Sequence, residues 1–510
     1  MNGYALSHAQ KRIWYTQRKY GDSPLFNIGG FIRIEGDADL CLLKEAINAV
    51  ASRHDALRLR CAESAHEVYQ YTVSDAIAVE TIDLAGERDP EQALTDLCAQ
   101  VFKAPFIMNG QPLYYFAVIR VGASVSGYLV KLHHIIADGW SMKLLTEQIT
   151  ACYASMIRKR PYNPEKAPSY LDYVKDEIDY VNSDACMRDR CFWADMFTPL
   201  PEVVIQAPAN LDGNRVSYIP DDELAVRIQQ FIKDHTVSLN DLFVFLYILY
   251  AYKRYGQDDC VLGTPLLGRS GKTGRRTIGT YTNPLPFRYR VRRKTTLMEM
   301  LADVAHSLRR SYKHQRYPYN LIQTDLQLRQ NGIEKLYDVC VNCYNTVLPL
   351  SLGEMPVKNQ EFYSGQQEYG LQIIIRQWDN VGFQLDYDYQ TSKYTSGDIG
   401  RLHAQFMNLL RFVLQNGDQN VCDCMLVNQE EFELYTNVYN RTACTYTQKT
   451  MPVLFKEMSR LKPDAVALSR RDESMTYGAL GAAVDRAACY LRNAGVRKGT
   501  LVLTIPDYDC

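Results

Sequence analysis

Residues 128–141, YLVKLHHIIADGWS, leave the chain few choices of local structure. Tyr128, Leu129, Val130, Leu132, Ile135 and Ile136 form a short apolar run with little helical period, which predicts a strand buried on both faces. Ala137, Asp138 and Gly139 break that run. From Trp140 onward Met142, Leu145, Ile149, Cys152 and Met156 recur at three- and four-residue steps, the apolar stripe of an amphipathic helix. The stretch therefore reads as strand, tight turn and helix.

His133 and His134 sit at the end of that strand. Successive strand side chains point to opposite faces, so only one of the two imidazoles can look into a given cleft. Asp138 and Gly139 fall at the helix N-terminus, where free N–H groups and the dipole favour negative charge, so a substrate oxyanion can be held there. The turn thus brings a base and oxyanion donors together. An isolated histidine is ordinarily a core or surface residue; an adjacent pair followed by Asp-Gly at such a turn is a rarer arrangement.

His133, His134, Asp138 and Gly139 match the HHxxxDG signature, and the chain resembles the condensation domains of nonribosomal peptide synthetases, relatives of chloramphenicol acetyltransferase. Companion motifs of that family follow in order. Ser7, Ala9, Gln10, Arg12 and Trp14 resemble the first, and Arg53-His54-Asp55-Ala56-Leu57-Arg58 the second. Tyr170, Asp172 and Tyr173 resemble the fourth, read as packing and hydrogen-bonding residues. Residues 278–288, IGTYTNPLPFR, resemble the fifth, Tyr317-Pro318-Tyr319 with Leu321 the sixth, and Tyr337-Asp338-Val339 with Asn342 and Tyr344 the seventh.

The resemblance implies an α/β fold: two chloramphenicol acetyltransferase-like lobes in a V-shaped pseudo-dimer with a central cleft, over residues 1–170 and 171–430. Residues 431–451 are polar and read as a linker. Met475-Thr476-Tyr477-Gly478-Ala479-Leu480 resembles the opening of an adenylation domain, so residues 452–510 are expected to be a truncated α/β fragment of one. The Gly-rich phosphate loop such enzymes require is missing here, and ATP chemistry is not expected of the fragment.

By the same resemblance His134 is the cleft-facing group, His133 structural, Asp138 an orienting ion pair with Arg288, and Gly139 a backbone donor near the oxyanion. Trp140, Ser141, Asn283 and Tyr344 are the further cleft candidates. Periodicity offers a blander account of Arg288, since Arg288, Arg290 and Arg292 share one strand face and read equally as a solvated basic strip.

At 510 residues the chain is expected to hold two or three packed units. A formal net charge of −1, from 57 basic and 58 acidic residues, gives no electrostatic reason to bind nucleic acid or an anionic membrane. The 14 cysteines lack a disulfide spacing and residues 1–20 lack a secretory pattern, which together point to the reducing cytoplasm. Cys340-Val-Asn-Cys343 has no second pair at zinc spacing and lies in a strand-like context, so no metal is expected. The ten apolar residues 242–251 are half of what a membrane span needs and read as a core helix.

The expected chemistry is amide formation, a carrier-bound aminoacyl amine attacking a donor acyl thioester. No permanently bound cofactor is expected; phosphopantetheine arms of carrier proteins, or CoA, bring the substrates. Expected partners are a donor acyl carrier or acyl-CoA, a downstream peptidyl carrier and the adenylation domain of the same synthetase. The first motif begins only seven residues from Met1, so the donor is expected to arrive from elsewhere, to a starter or to an elongation domain. An epimerisation domain, a free-standing CoA-dependent acyltransferase and a noncatalytic recruiting domain are the rival readings. The first does not precede adenylation, the second leaves the other motifs unexplained, and retention of both histidines with Asp138 and Gly139 argues against the third.

Overall fold

Strand alternation sets which side chains each sheet buries, and in this chain it also sets which of them face the site. The protein is described by a computed structural model over residues 3–64, 67–202, 205, 210–344, 346–377, 382–470 and 473–505. It divides into two units, Met1–Asn428 and Gln429–Cys510.

The larger unit is built on two mixed six-stranded sheets. The N-terminal sheet runs Ser351–Leu352, Met355–Glu361, Asn27–Glu35, Val125–His133, Tyr114–Arg120 and Glu80–Asp83 across its width. Its central strand Val125–His133 is buried along nearly its whole length, as the apolar run predicts. The helices Leu40–Ala51 and Gly139–Ile157 share one core with this sheet. The helix Pro90–Lys103 covers its other face through Leu94, Cys98 and Phe102.

The C-terminal sheet runs Asn283–Arg290, Asp259–Leu266, Val339–Tyr344, Leu371–Gln377, Phe383–Gln390 and Gly213–Tyr218. Ile373 and Ile375, with Leu385 and Tyr387 opposite them, face the helices Leu239–Tyr255, Leu297–Lys313 and Ser396–Gln415 in one core. The first of these helices is apolar on all sides because it is enclosed on all sides. A capping box of Ser238 with Asp241 starts it, and Gly256 at φ 71 ends it in the left-handed conformation that glycine adopts without strain. Among the described residues no helix is long and apolar enough to cross a membrane.

One expectation needs correction. Residues 351–361, assigned by chain order to the C-terminal lobe, add a hairpin to the N-terminal sheet: Val357–Glu361 pairs antiparallel with Gly30–Ile34. Periodicity specifies which face of a strand is buried but not which neighbour it pairs with, so the crossing was invisible in the sequence. The N-terminal sheet is therefore completed by a segment from beyond residue 350.

The smaller unit holds the short helix Gln429–Glu433 continued by a π-helical turn Leu434–Tyr439, so the expected linker 431–451 is irregular only from residue 440. Then come the helix Met451–Leu461, a two-stranded ribbon of Val466–Arg470 with Glu473–Thr476, and the helix Tyr477–Asn493. Neither of the two long helices buries a residue. Residues 471–472 and 506–510 of the expected fragment lie outside the described residues.

The crossing hairpin gives a direct test. A Cβ built on Gly30 would lie 2.3 Å from the carbonyl oxygen of Gln360, so the two strands pair only with glycine there. Gly30→Ala is expected to lower the stability of the larger unit by about 1–3 kcal/mol in urea unfolding.

Candidate active site

The turn after Val125–His133 is held by a lattice of hydrogen bonds centred on one buried carboxylate. Asp138 caps the helix Gly139–Ile157, its Oδ1 accepting from the Ser141 backbone N–H and from Ser141 Oγ, both at 2.8 Å. Oδ2 accepts from the Tyr281 N–H at 3.1 Å. Arg269 completes the set, Nη2 lying 2.7 Å from Asp138 Oδ1, with the two side chains 1% and 0% exposed.

Arg269 is itself bonded through both terminal nitrogens, while its buried Nε has no partner among the described residues. Its Nη1 donates to the carbonyls of Gly274 and Thr277, and Nη2 also reaches Ser141 Oγ and the Gly279 carbonyl. Its guanidinium lies 4.1 Å from the centre of the Tyr281 ring. Tyr170 adds a second tie, bonding Ser7 Oγ at 2.9 Å and donating to the Thr280 carbonyl at 2.8 Å. The segment 269–281 is thereby locked to the N-terminal half at the mouth of the histidine turn.

The expected ion pair is thus corrected: Asp138 pairs with Arg269, not with Arg288. Arg288 points the other way and chelates Asp259, at 2.8 and 2.6 Å, while its Nη1 reaches the carbonyls of Met196 and Pro199. Arg290 shares Asp259 and Arg292 pairs with Asp303, so the strip is an ion-paired edge of the C-terminal sheet. Arg288 and Asp259 are near neighbours across an antiparallel pair, Arg288 facing Val261 and Asp259 facing Arg290, a contact that local pairing imposes. Arg269 lies in the loop just beyond the strand Asp259–Leu266, where no period singles it out.

The two histidines occupy different environments. His133 is 1% exposed and lies between the rings of Phe26 and Phe106. Its Nδ1 accepts from the Ile135 N–H at 3.2 Å, which leaves the proton on Nε2, 3.4 Å from Gln17 Oε1. Burial, with small additions from His134 and Lys131, lowers its pKa to about 3. His134 instead borders a cavity of about 270 Å³ together with Gly139, Met142 and Tyr344. Burial lowers its pKa too, opposed in part by the charge of Asp138, and the ring is neutral at pH 7.

Gly139, the first residue of the helix, has nothing within 4 Å of where a Cβ would stand, so the backbone there is open to the cavity. Of the other cleft candidates only Tyr344 shares the cavity with His134. Ser141 is not a cleft residue: it is fully buried in the Asp138 lattice. Trp140 turns away and donates its indole N–H to the Arg275 carbonyl at 2.9 Å. Asn283 binds the carbonyls of Gln315 and Tyr317 and borders a separate, smaller cavity beside His8, Arg12 and Tyr281.

Sequence reasoning overlooked a second group of residues at the cavity, which Arg215, Glu361, Arg376 and Asp388 line. Arg215, Arg376, Glu361, Asp386 and Asp388 form one ionic network from four strands. Each is unremarkable in its own strand; a charge alternating with isoleucine or tyrosine is the signal that was available.

The arrangement offers a neutral imidazole and a helix N-terminus on one cavity wall. Among the described residues there is no cluster of side chains suited to a metal ion, and Cys340 is a buried thiol whose pKa burial pushes up. The described cysteines are all free.

Comparison with known proteins fits this geometry. The family model described as "Condensation domain" matches residues 1–435. A plipastatin synthase polypeptide of Bacillus subtilis (strain 168) is 25% identical over 98% of this chain, and a linear gramicidin synthase polypeptide of Brevibacillus parabrevis 27% over 98%. The chain spans only 20% and 10% of the length of those two relatives. A crystal structure of a mutant starter condensation domain of rhizomide synthetase, in complex with C8-CoA, superposes with a TM-score of 0.75 at 23% identity, covering 84% of this chain and 98% of that one. The first condensation domain of the calcium-dependent antibiotic synthetase, in complex with a substrate analogue, gives 0.75 at 21% identity, covering 84% and 100%.

Two outcomes test the site. Arg269→Ala strands a buried carboxylate and is expected to cost about 3–5 kcal/mol in chemical denaturation. His133 should show no ring titration by NMR between pH 8 and 5; a midpoint near 6.5 would contradict its burial. Because its folded pKa lies below the unfolded value of 6.5, its contribution is fully present above pH 6.5. Stability is then lost, by up to about 1.4 kcal/mol per pH unit, as pH falls from there toward 3.

Proposed function

The chain belongs to the condensation-domain family, and from that premise we propose that it forms an amide bond between a donor acyl thioester and a carrier-bound aminoacyl amine. The observation that carries the reading is His134, a neutral imidazole on the wall of a cavity at a turn fixed by the Asp138 lattice.

The amine nitrogen bonds to the thioester carbon and the carbonyl electrons move to oxygen. The resulting oxyanion is held by dipoles at the helix N-terminus, where Gly139 is open to the cavity. His134 takes the proton released by the attacking nitrogen, the oxyanion collapses, and the thiolate of the pantetheine arm leaves and takes up a proton from solvent. Asp138 and Arg269 touch neither reactant; they position the turn.

The donor is proposed to arrive as acyl-CoA or on an acyl carrier, and the acceptor on a peptidyl carrier of the same synthetase. The C8-CoA complex of the rhizomide starter domain supports a CoA donor for a chain of this fold. Similarity to the synthetase relatives runs over 97–99% of the chain, past the end of the condensation match at residue 435. With the two helices that bury no residue, that extension supports residues 452–510 as the opening of an adenylation domain. Cytoplasmic residence follows from the same reading, since carriers and CoA are met there.

Intact-mass analysis of an aminoacyl carrier, after incubation with acyl-CoA or acyl carrier, tests the proposal. Amide transfer is expected, and His134→Ala should slow it by about a hundred- to ten-thousandfold with the fold retained. Full activity in a folded His134→Ala protein would remove His134 from the reaction.

A further inference from the structure

The cavity beside His134 has two unlike walls. Leu25, Ile28, Ile32 and Leu350 make one of them apolar. The other is the second face of the C-terminal sheet. Register there aligns Gln372 with Asp388 and Ile374 with Asp386, while Arg215 lies opposite Asp388 on the outer strand. Hydrocarbon chains are not served by such a wall, because charged groups lose hydration to any chain that covers them.

The network on this wall is closely bonded within itself. Arg215 chelates Asp388 at 2.6 and 2.8 Å; Arg376 bonds Asp386 and both oxygens of Glu361. Among the described residues two guanidiniums nonetheless face three carboxylates, which leaves one negative charge without a cationic partner. Asp386 and Asp388 are sealed, with side chains 1% and 4% exposed, whereas Glu361 keeps 36% of its side chain open where it borders the cavity. Burial pushes Glu361 up, but Arg376 and Arg215 hold it down at about 2, so it is ionised. Burial raises Asp388, with a small addition from the charge of Glu361.

A second feature points the same way. Asn27, 6% exposed, lines the cavity and donates its amide to the carbonyls of Phe102 and Ala104, while its own Oδ1, itself buried, has no hydrogen-bond partner among the described residues. Asn359 Oδ1, on the same cavity, is also unpartnered. Both unpartnered atoms are acceptors, and a hydrogen-bond donor is what each lacks.

We propose that this cavity takes an acyl chain bearing a protonated amine, with Glu361 as the residue that selects it. The ammonium supplies the missing positive charge and N–H donors together, while the rest of the chain lies on the apolar wall. This rests on the reading that the cavity receives an acyl substrate.

Binding can be tested without turnover, using calorimetry on the full chain with the pantetheine amides of octanoic, 3-aminooctanoic and 8-aminooctanoic acid. At least one amine probe is expected to bind at least about tenfold tighter than the octanoyl probe. Glu361→Gln should reduce that preference to about threefold or less. An octanoyl probe that binds as tightly as both amines, or no binding by any probe, overturns the proposal; this ranking is read on the unaltered chain, so a misfolded variant does not affect it. A chain that prefers the amines yet makes no amide from any donor refutes the proposed condensation and leaves the selectivity standing.

Discussion

The buried pair of Asp138 and Arg269 is the constraint on which the rest of the site depends. Taking two charges out of water costs several kcal/mol per ion, and their attraction offsets that only when every remaining lone pair and N–H is satisfied. Here most are: the carboxylate receives four hydrogen bonds and both terminal nitrogens of the guanidinium are engaged, reaching Gly274, Thr277, Gly279 and Ser141 as well, while the buried Nε has no partner among the described residues. Such a pair adds little net stability over an apolar replacement. What it does is fix one register, since any shift of the segment 269–281 against the helix start would unpair several buried groups at once. The imidazole one turn away inherits that precision.

The same logic explains the two faces of the C-terminal sheet. Strands covered by helices on one side and by a crossing hairpin on the other are ordinarily apolar on both. Ile373 and Ile375 obey this toward the helices, but on the opposite face Arg376, Asp386 and Asp388 lie under the hairpin that carries Glu361. The hairpin brings the counter-charge with it. Glu361 is therefore both the last paired residue of the N-terminal sheet, opposite Gly30, and a ligand of Arg376 on the C-terminal one. The cavity lies between sheets tied together by that strand and its salt bridge, which makes its width a property of the fold rather than of mobile side chains.

What could be read in the sequence was local. The strand and helix around the histidine pair and the core helix at 242–251 follow from period and apolar run length, and the structure places them within a few residues of expectation. The choice of long-range partner was not legible. Arg288 was named for Asp138 because it lies in a recognisable motif, yet a strand neighbour, Asp259, claims it. Arg269 had no pattern to mark it, and its role arises only where a loop 131 positions away in sequence meets the histidine turn. The hairpin 351–361 and the five-residue ionic network fail for the same reason: alternation identifies a face, while pairing and charge balance are settled between strands distant in the chain.

The different fates of His133 and His134 follow from one fact of geometry, that neighbours at a strand end face opposite ways. His133, turned inward, satisfies the Ile135 N–H just past the strand and so holds the turn's backbone; an apolar residue there would orphan that donor. His134, turned to the cavity, keeps its backbone in the ladder through its N–H to the Phe26 carbonyl, leaving the ring free of structural duty. Burial makes this ring a weaker base than imidazole in water, which on the proposed reaction is no handicap. A free amine holds its protons far too tightly to give one up, but once nitrogen has bonded to the carbonyl carbon it becomes a cation and a strong acid. A weak base that stays unprotonated at pH 7 is then available in every molecule when the proton is released, and it does not compete with the amine for protons beforehand.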